Sequence, residues 1–145
     1  GFDFILIDAP SNLDTLCVNV LSAATHYVVP INPALFTMYG NAELIRCVTM
    51  VRSRYNPDLK LLGSVINAFE RAPSVSRRIE SALVSSFSDA FFSSVLSRTP
   101  KVDTALALHK GLAQLPPCPE RDELELIALE FVSRLDGFRE SAVRI

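Results

Sequence analysis

A single carboxylate, Asp8, directly follows an apolar run near the start of the chain, and Pro10 closes the segment. The run Phe4-Ile5-Leu6-Ile7 has the composition of a strand buried on both faces of a parallel sheet. Asp8 would then emerge at the carboxyl end of that strand, where open α/β sheets bind their ligands. A carboxylate in that position is suited to holding Mg²⁺ through its water shell beside the phosphates of a nucleotide. A strand that merely ends in a turn-forming Asp explains the same pattern.

A polar residue, Asn67, and a turn that contains Pro100 follow later apolar segments. Asn67 comes directly after Leu61–Ile66, which is predicted to be a buried strand, and Arg98-Thr99-Pro100 follows a predicted strand over Phe91–Leu96. Because the carboxyl ends of parallel strands meet at one edge of a sheet, we expect these residues to converge there. A turn role for Asn67 and simple chain punctuation by Pro100 remain open as alternatives.

Helical spacing of apolar residues predicts the elements that must position these groups. A first helix is expected after the Asp8 turn, with Ser11 or Asn12 as its N-cap. A short strand over Tyr27–Ile31 should follow. Four later helices are predicted, namely Met38–Arg54 (burying Leu44, Val48, Val51 and Tyr55), Ser74–Phe87, Val102 to Lys110 ending at Gly111, and a last helix burying Leu124, Ile127, Ala128, Phe131 and Leu135. Strands that alternate with helices predict an α/β fold with a parallel sheet in one domain over residues 1–145.

Composition and charge narrow the class of protein. No apolar stretch has the length of a membrane span, and the three cysteines form no Cys/His group of the zinc-binding kind, so a cytoplasmic protein with reduced thiols is expected. The net charge of −2 hides a basic middle: residues 41–119 hold ten basic and six acidic side chains. Arg71, Arg77 and Arg78 lie around the start of the predicted Ser74–Phe87 helix and are candidate DNA contacts. An ordinary solvated helix face is the alternative.

In their order and spacing, several segments resemble the ParA/MinD-like deviant Walker A P-loop ATPases, closest in style to those that partition plasmids or chromosomes. The matching segments are FDFILIDAP from Phe2 to Pro10, NVLSAA from Asn19, YVVPIN from Tyr27, LLGSVIN from Leu61, and Thr99-Pro100 with the Ala-rich helix after it. The resemblance implies that Asp8 is the Walker B acid holding Mg²⁺ through water. It implies further that Asn67 contacts adenine and that Pro100 lies in the loop packed against the adenine ring.

The chain departs from that family in one decisive respect, because it has no Gly-Lys-Ser/Thr sequence and so no phosphate-binding P-loop. We therefore expect it to be the carboxyl-terminal portion of such an ATPase, starting at the Walker B strand, either as a truncated product or as one piece of a split protein. Mg and ATP are expected only if the P-loop half is supplied, and hydrolysis by this chain alone is not expected. Without the P-loop strand as neighbour, the Phe4–Ile7 strand would expose unpaired backbone.

Two classes of function follow from these observations. The resemblance implies a partition ATPase of the SIMIBI type that forms an Mg-ATP-dependent homodimer, binds DNA non-specifically and responds to a centromere-binding partner protein. No membrane partner is expected. The alternatives are a non-catalytic module that binds DNA or a protein through its basic middle, and a positioning ATPase of the MinD kind.

Overall fold

The computed structural model describes residues 2–32, 38–69 and 90–143 of the chain. The sheet has three strands in the order β1-β2-β3, and β2 and β3 run parallel. The elements in chain order are α1 (Thr15–Ala23), β1 (His26–Ile31), α2 (Met38–Arg54), β2 (Lys60–Phe69), β3 (Leu96–Ser97), α3 (Lys101–Ala107), a 3₁₀ turn (Leu112–Gln114) and α4 (Pro119–Val143). The predicted α/β fold, a parallel sheet with flanking helices, is confirmed.

The chain divides into two compact units. The first comprises residues 1–27 and 36–61, and the second comprises residues 28–35 and 62–145. In the first unit α1 packs against α2 through a core formed by Cys17, Leu21, Val48, Val51 and Leu59. Apolar positions three and four residues apart on both helices supply this core, as their spacing predicts. That residues 1–145 form one domain stays a prediction.

Helix α1 begins later in the chain than the sequence predicts. Asp14 is the N-cap, and its Oδ1 accepts hydrogen bonds from the backbone nitrogens of Leu16 at 3.0 Å and Cys17 at 3.4 Å. The prediction of Ser11 or Asn12 as N-cap is therefore wrong. Asp is as good a cap as either, because its carboxylate accepts from the first free N–H groups and favours the positive end of the helix dipole.

The predicted Walker B strand is not among the strands of the sheet. Residues 2–10 precede the first element, and the apolar side chains Phe2, Phe4, Ile5, Leu6 and Ile7 are 40–93% exposed. The prediction of a buried strand over Phe4–Ile7 is therefore wrong for this chain. An apolar run becomes a doubly buried strand only when other strands pair with its edges and helices cover its faces, and the described sheet ends at β1.

The middle elements match the prediction with local differences. β1 and α2 form over the expected residues, and Val48 and Val51 are buried, but Tyr55 is exposed rather than buried. β2 continues to Phe69, so Asn67 lies inside the strand instead of after it. The predicted strand at Phe91–Leu96 is reduced to a bridge between Phe91 and Ser64 and to the two residues of β3.

Helix α3 ends at a different residue from the one that the sequence predicts. His109, with φ of 51°, adopts the left-handed conformation, and its backbone nitrogen donates to the oxygen of Leu106 at 3.0 Å. The nitrogen of Lys110 donates to the oxygen of Ala105 at 2.9 Å, which completes a Schellman motif. The prediction that Gly111 ends this helix is therefore wrong, because His109 occupies the position that glycine usually takes.

The last helix, α4, has the predicted apolar stripe. Leu124, Ile127, Phe131 and Leu135 are half-buried, whereas Ala128 is exposed. Its first turn carries Glu120 and Asp122. The predicted Ser74–Phe87 helix, together with Arg71, Arg77 and Arg78, lies outside the described residues.

Replacing Asn56 by Ala is expected to destabilise the first unit by about 1–2 kcal/mol. Its Nδ2 donates to the backbone oxygens of Leu21 at 3.1 Å and Ala24 at 2.7 Å, at the carboxyl end of α1. Both carbonyl groups would lose a donor in a half-buried setting. Urea unfolding followed by circular dichroism measures the change. The control is Asn19→Ala at an exposed position within α1, and equal midpoints for the two variants would contradict this role of Asn56.

Candidate functional site

The parallel pairing of β2 and β3 places Asn67 beside the chain that leads to Pro100. Asn67 is in register with Leu96, and Phe69 is in register with Ser97. The backbone nitrogen of Arg98 then donates to the oxygen of Phe69 at 3.0 Å. Pro100 follows two residues later, so the structure brings the Asn67 end of β2 and the Pro100 loop together at one end of this strand pair.

The register is irregular at the residue predicted to bind a base. Between Asn67 and Phe69 the pairing shifts, and Ala68 adopts a positive φ of 55°. A non-glycine residue in this conformation carries backbone strain of the order of 1 kcal/mol. Bulges of this kind re-aim the side chains beside them and occur next to binding sites more often than elsewhere. Asn67 itself is exposed at the bulge, where its amide can both donate and accept hydrogen bonds.

Pro100 forms the amino end of α3. Its carbonyl oxygen accepts from the backbone nitrogen of Thr104 at 3.1 Å and from Oγ1 of the same residue at 3.2 Å. Just before it, Oγ1 of Thr99 accepts from the backbone nitrogen of Lys101 at 3.2 Å. The segment from Thr99 to Lys101 is therefore a hydrogen-bonded turn, and the Pro100 ring is exposed on it.

Two carboxylates at the start of α4 hold this loop. Glu123 accepts from the backbone nitrogen of Ser97 and from its Oγ, each at 2.8 Å. Glu120 lies 3.9 Å from Nζ of Lys101, and its pKa is lowered by hydrogen bonds from its own backbone N–H and from the Thr99 hydroxyl. The sequence analysis names neither acid as a site residue. Their i, i+3 spacing, which puts both on one helix face, was the signal available in the sequence.

A second contact of α4 is made by Arg134, which the sequence analysis did not single out. Nη1 donates to the oxygen of Leu62 at 2.9 Å, Nη2 donates to the oxygen of Phe91, and the guanidinium lies 4.3 Å from the centre of the Phe92 ring. Glu130, one turn earlier, accepts from Nη2 at 2.7 Å and from the backbone nitrogen of Ser93 at 2.8 Å. The pair thus fastens α4 to β2 and to the segment that pairs with it.

Asp8 belongs to the first compact unit, whereas Asn67 and Pro100 belong to the second. Asp8 is exposed and follows the exposed apolar run. Magnesium is commonly held by one or two carboxylates with waters and substrate phosphates, so one exposed carboxylate fits the role of a water-mediated ligand. Among the described residues no group of three or more His, Cys, Asp or Glu side chains is arranged to hold a metal ion. The chain therefore offers an acid for Mg²⁺, and the phosphate-binding loop is missing from its sequence.

Comparisons with known proteins show what the chain as a whole is similar to. An AAA domain family model matches residues 1–61. The chromosome-partitioning ATPase Soj of Thermus thermophilus is 30% identical over 136 residues, which cover 93% of this chain and 55% of that protein. The chromosome partitioning protein ParA of Caulobacter vibrioides is 30% identical over 75% of this chain and 41% of its own length. The chain thus spans about half the length of the curated relatives that it matches.

Solved structures give the same class of fold. Cobyrinic acid a,c-diamide synthase from Mycobacterium smegmatis, with a bound ATP analogue and magnesium, superimposes with a TM-score of 0.61 at 28% identity, over 68% of this chain and 39% of that one. The ADP and magnesium form of that enzyme also gives 0.61, over 74% and 47% of the two chains. The family model and these relatives support membership of the ParA/MinD-like family of P-loop ATPases. In the described part of the chain, no helix has the length and apolar character needed to cross a bilayer.

Replacing Gly63 by Ala is expected to destabilise the second unit by more than about 2 kcal/mol. A Cβ at this position would lie 2.5 Å from Nη1 of Arg134 and 2.7 Å from both the oxygen of Ala90 and Cε2 of Phe92. The new methyl group would therefore push apart the contacts that fasten α4. Thermal unfolding monitored by circular dichroism measures the effect.

Gly137→Ala is the matched control for that experiment. Gly137 lies within α4, and a Cβ there would meet nothing within 4 Å. Because Ala favours the helix by up to about 1 kcal/mol over Gly, this variant should unfold at the same temperature or higher. If Gly63→Ala unfolds no earlier than Gly137→Ala, the close packing around residue 63 does not support the second unit.

Proposed function

We propose that this chain supplies the adenine-binding and magnesium-binding part of a ParA-like ATPase that partitions a plasmid or chromosome. The observation that carries the proposal is the strand pairing that sets Asn67 beside the Pro100 loop. The names of the relatives, chromosome-partitioning ATPase Soj and chromosome partitioning protein ParA, support the biological role. The ATP analogue and magnesium bound by the cobyrinic acid a,c-diamide synthase support the choice of ligand.

Each residue has a separate task in this proposal. The Asn67 amide pairs with the edge of adenine, which presents one donor and one acceptor, while the Pro100 ring covers a face of the base. Asp8 accepts hydrogen bonds from the waters of a nucleotide-bound Mg²⁺ and so neutralises part of its charge. When bound, Mg²⁺ supplies charge stabilisation to the phosphates. No residue of this chain provides the lysine that cradles the phosphates, so we assign no hydrolytic step to it.

The exposed apolar run at Phe2–Ile7 supports the idea that a P-loop-bearing segment completes the fold. Contiguous apolar side chains as exposed as these commonly mark an interaction surface. This chain spans 55% of the length of the Soj relative, so that relative contains a further segment as long as a small domain. We propose that such a segment pairs with residues 4–7, turns them into the buried Walker B strand and brings the P-loop to Asp8.

The resemblance to the family is the basis for proposing dimerisation, a centromere-binding partner and non-specific DNA binding. With the P-loop supplied, an Mg-ATP-dependent homodimer would bind DNA, and the partner protein would stimulate hydrolysis. A MinD-like positioning ATPase would use the same nucleotide residues. If no nucleotide binds, the remaining alternative is a non-catalytic module that binds DNA or a partner protein through the basic middle of the chain.

Calorimetric titration of ATP into this chain, with and without Mg²⁺, tests the nucleotide site. Binding weaker than about 100 µM is expected because the phosphate cradle is missing. When the part of the Soj relative that this chain does not cover is added, the affinity should rise about three- to tenfold with Mg²⁺ for the unmodified chain but not for Asp8→Asn. Glu43→Gln, which removes an exposed carboxylate from α2 in the same unit, is the control and should keep the response to Mg²⁺. An equal response to Mg²⁺ in the chain and in Asp8→Asn would contradict the role of Asp8.

DNA binding is tested by the salt dependence of the affinity for a random duplex. If Arg71, Arg77 and Arg78 each contact a phosphate, replacing all three by Ala should make the slope of log K against log salt shallower by about 2.7. Lys110→Ala removes one exposed cation outside this group and should leave the slope within about one phosphate contact of its original value. A triple variant with an unchanged slope would exclude these arginines as the DNA contacts.

A further inference from the structure

Glu123 makes the most specific polar contact that the proposed nucleotide chemistry leaves unexplained. Its Oε2 accepts from the backbone nitrogen of Ser97 and its Oε1 accepts from Oγ of Ser97, both at 2.8 Å. The two residues are 26 positions apart in sequence, and the contact is partly buried. Both carboxylate oxygens are thus directed at a single residue of β3, and hydrogen bonds to a charged acceptor are about twice as strong as neutral ones.

The position of Ser97 gives this contact its importance. β3 has only two residues, and its register with β2 is irregular between Asn67 and Phe69. So short a strand has few ladder hydrogen bonds of its own, and its position depends on other contacts. Ser97 lies directly before Arg98, the residue at which the backbone pairing with β2 ends and the chain turns toward Pro100. A shift of Ser97 would therefore move Pro100 relative to Asn67.

Glu120 adds a second contact farther along the same loop. Nζ of Lys101 lies 3.9 Å from Oε2 of Glu120, and the pKa of Glu120 is lowered by its own backbone N–H and then by the Thr99 hydroxyl. The spacing of three residues places Glu120 and Glu123 on the same side of α4. One helix thus holds the loop at Ser97, before Pro100, and again at Thr99 and Lys101, on either side of it.

We propose that Glu123 is a positioning residue that fixes the Pro100 loop against Asn67 and thereby determines how well the site binds the base of a nucleotide. This inference rests on the proposed nucleotide function and adds a residue to it. Glu123 contacts Ser97 of β3 through both carboxylate oxygens, so its proposed effect on the ligand passes through Ser97. Removal of its charge should weaken ligands that carry adenine and spare ligands that consist of phosphates alone.

The experiment compares ATP with inorganic triphosphate, each titrated into the isotope-labelled chain at millimolar concentration. The amide signals of residues 97–101 and the side-chain amide of Asn67 report the binding of each ligand by nuclear magnetic resonance. Glu123→Gln is expected to lower the affinity for ATP about tenfold and to leave that for triphosphate within about twofold. Ser97→Ala removes only the Oγ contact and should lower the affinity for ATP about threefold.

Glu125→Gln is the matched control, because Glu125 lies on the same helix and pairs with Arg121 at 2.9 Å without touching β3. It should leave both affinities unchanged. The milder Ser97→Ala variant keeps the backbone contact and decides the question if Glu123→Gln fails to fold. Faster amide exchange at Ser97 and Arg98 in Glu123→Gln, in the absence of any ligand, would show directly that the contact holds the loop.

The outcomes separate this inference from the proposed function. Suppose that the unmodified chain binds ATP, and that its ratio of ATP affinity to triphosphate affinity is the same in Glu123→Gln and in Ser97→Ala. The positioning role of Glu123 is then overturned, and the proposed nucleotide site stands. If the unmodified chain binds no ATP at these concentrations, the base site itself is absent and both proposals fail. An equal loss of ATP and triphosphate binding in Ser97→Ala would show a general structural role and would also overturn the inference.

Discussion

The second unit depends on the hydrogen bonds that the Arg134 guanidinium donates to two neighbouring segments of backbone. It donates to the backbone oxygens of Leu62 and Phe91, which belong to β2 and to the segment bridged to it at Ser64. The planar guanidinium carries five donors in a fixed fork, so it can hold the carbonyls of two neighbouring segments at set positions, whereas the ammonium of Lys is a compact charge without that fixed geometry. Glu130 compensates the charge at 2.7 Å, and Phe92 covers one face of the guanidinium. A half-buried cation is tolerated here because its nitrogens donate to carbonyl and carboxylate oxygens.

The same face of α4 extends this attachment to the candidate site. Glu123, Glu130 and Arg134 are separated by seven and four residues, which places them on one side of a helix. Glu123 holds Ser97 at the end of β3, while the other two hold β2 near Leu62 and the strand-bridging segment near Phe91. A helix is stiff over this distance, so the spacing between these anchor points is set by the helix and not by the short strands. Helix α4 therefore helps to fix the position of the chain that pairs with β2 at Asn67.

Local patterns in the sequence predicted the elements better than their limits and contacts. The presence of α2 and β1 followed from apolar periodicity and from the breaks at Pro and Asn, which are local properties. The residues that converge near Asn67 could be predicted because parallel strands share an edge. The N-cap at Asp14 and the helix end at His109 could not, since several nearby residues were equally able to cap. Glu123 and Arg134 act across 26 and 72 residues, and no spacing rule reports contacts of that kind.

The failure of the Phe4–Ile7 prediction has a different cause, because the local signal there is strong. The run has the composition of a central strand, yet burial of a central strand is a property of its neighbours and not of its own residues. Its apolar side chains remain exposed at a free-energy cost of roughly 25 cal/mol for each Å² that a neighbour would cover. Those same side chains define what a partner segment must bring: a strand for the backbone and apolar surface for both faces. The Asn67 and Pro100 pair needs no such help, since β2, β3 and α4 assemble it within one unit. The proposed base-binding residues are thus held together without the proposed P-loop segment, and the two parts of the proposal can be tested separately.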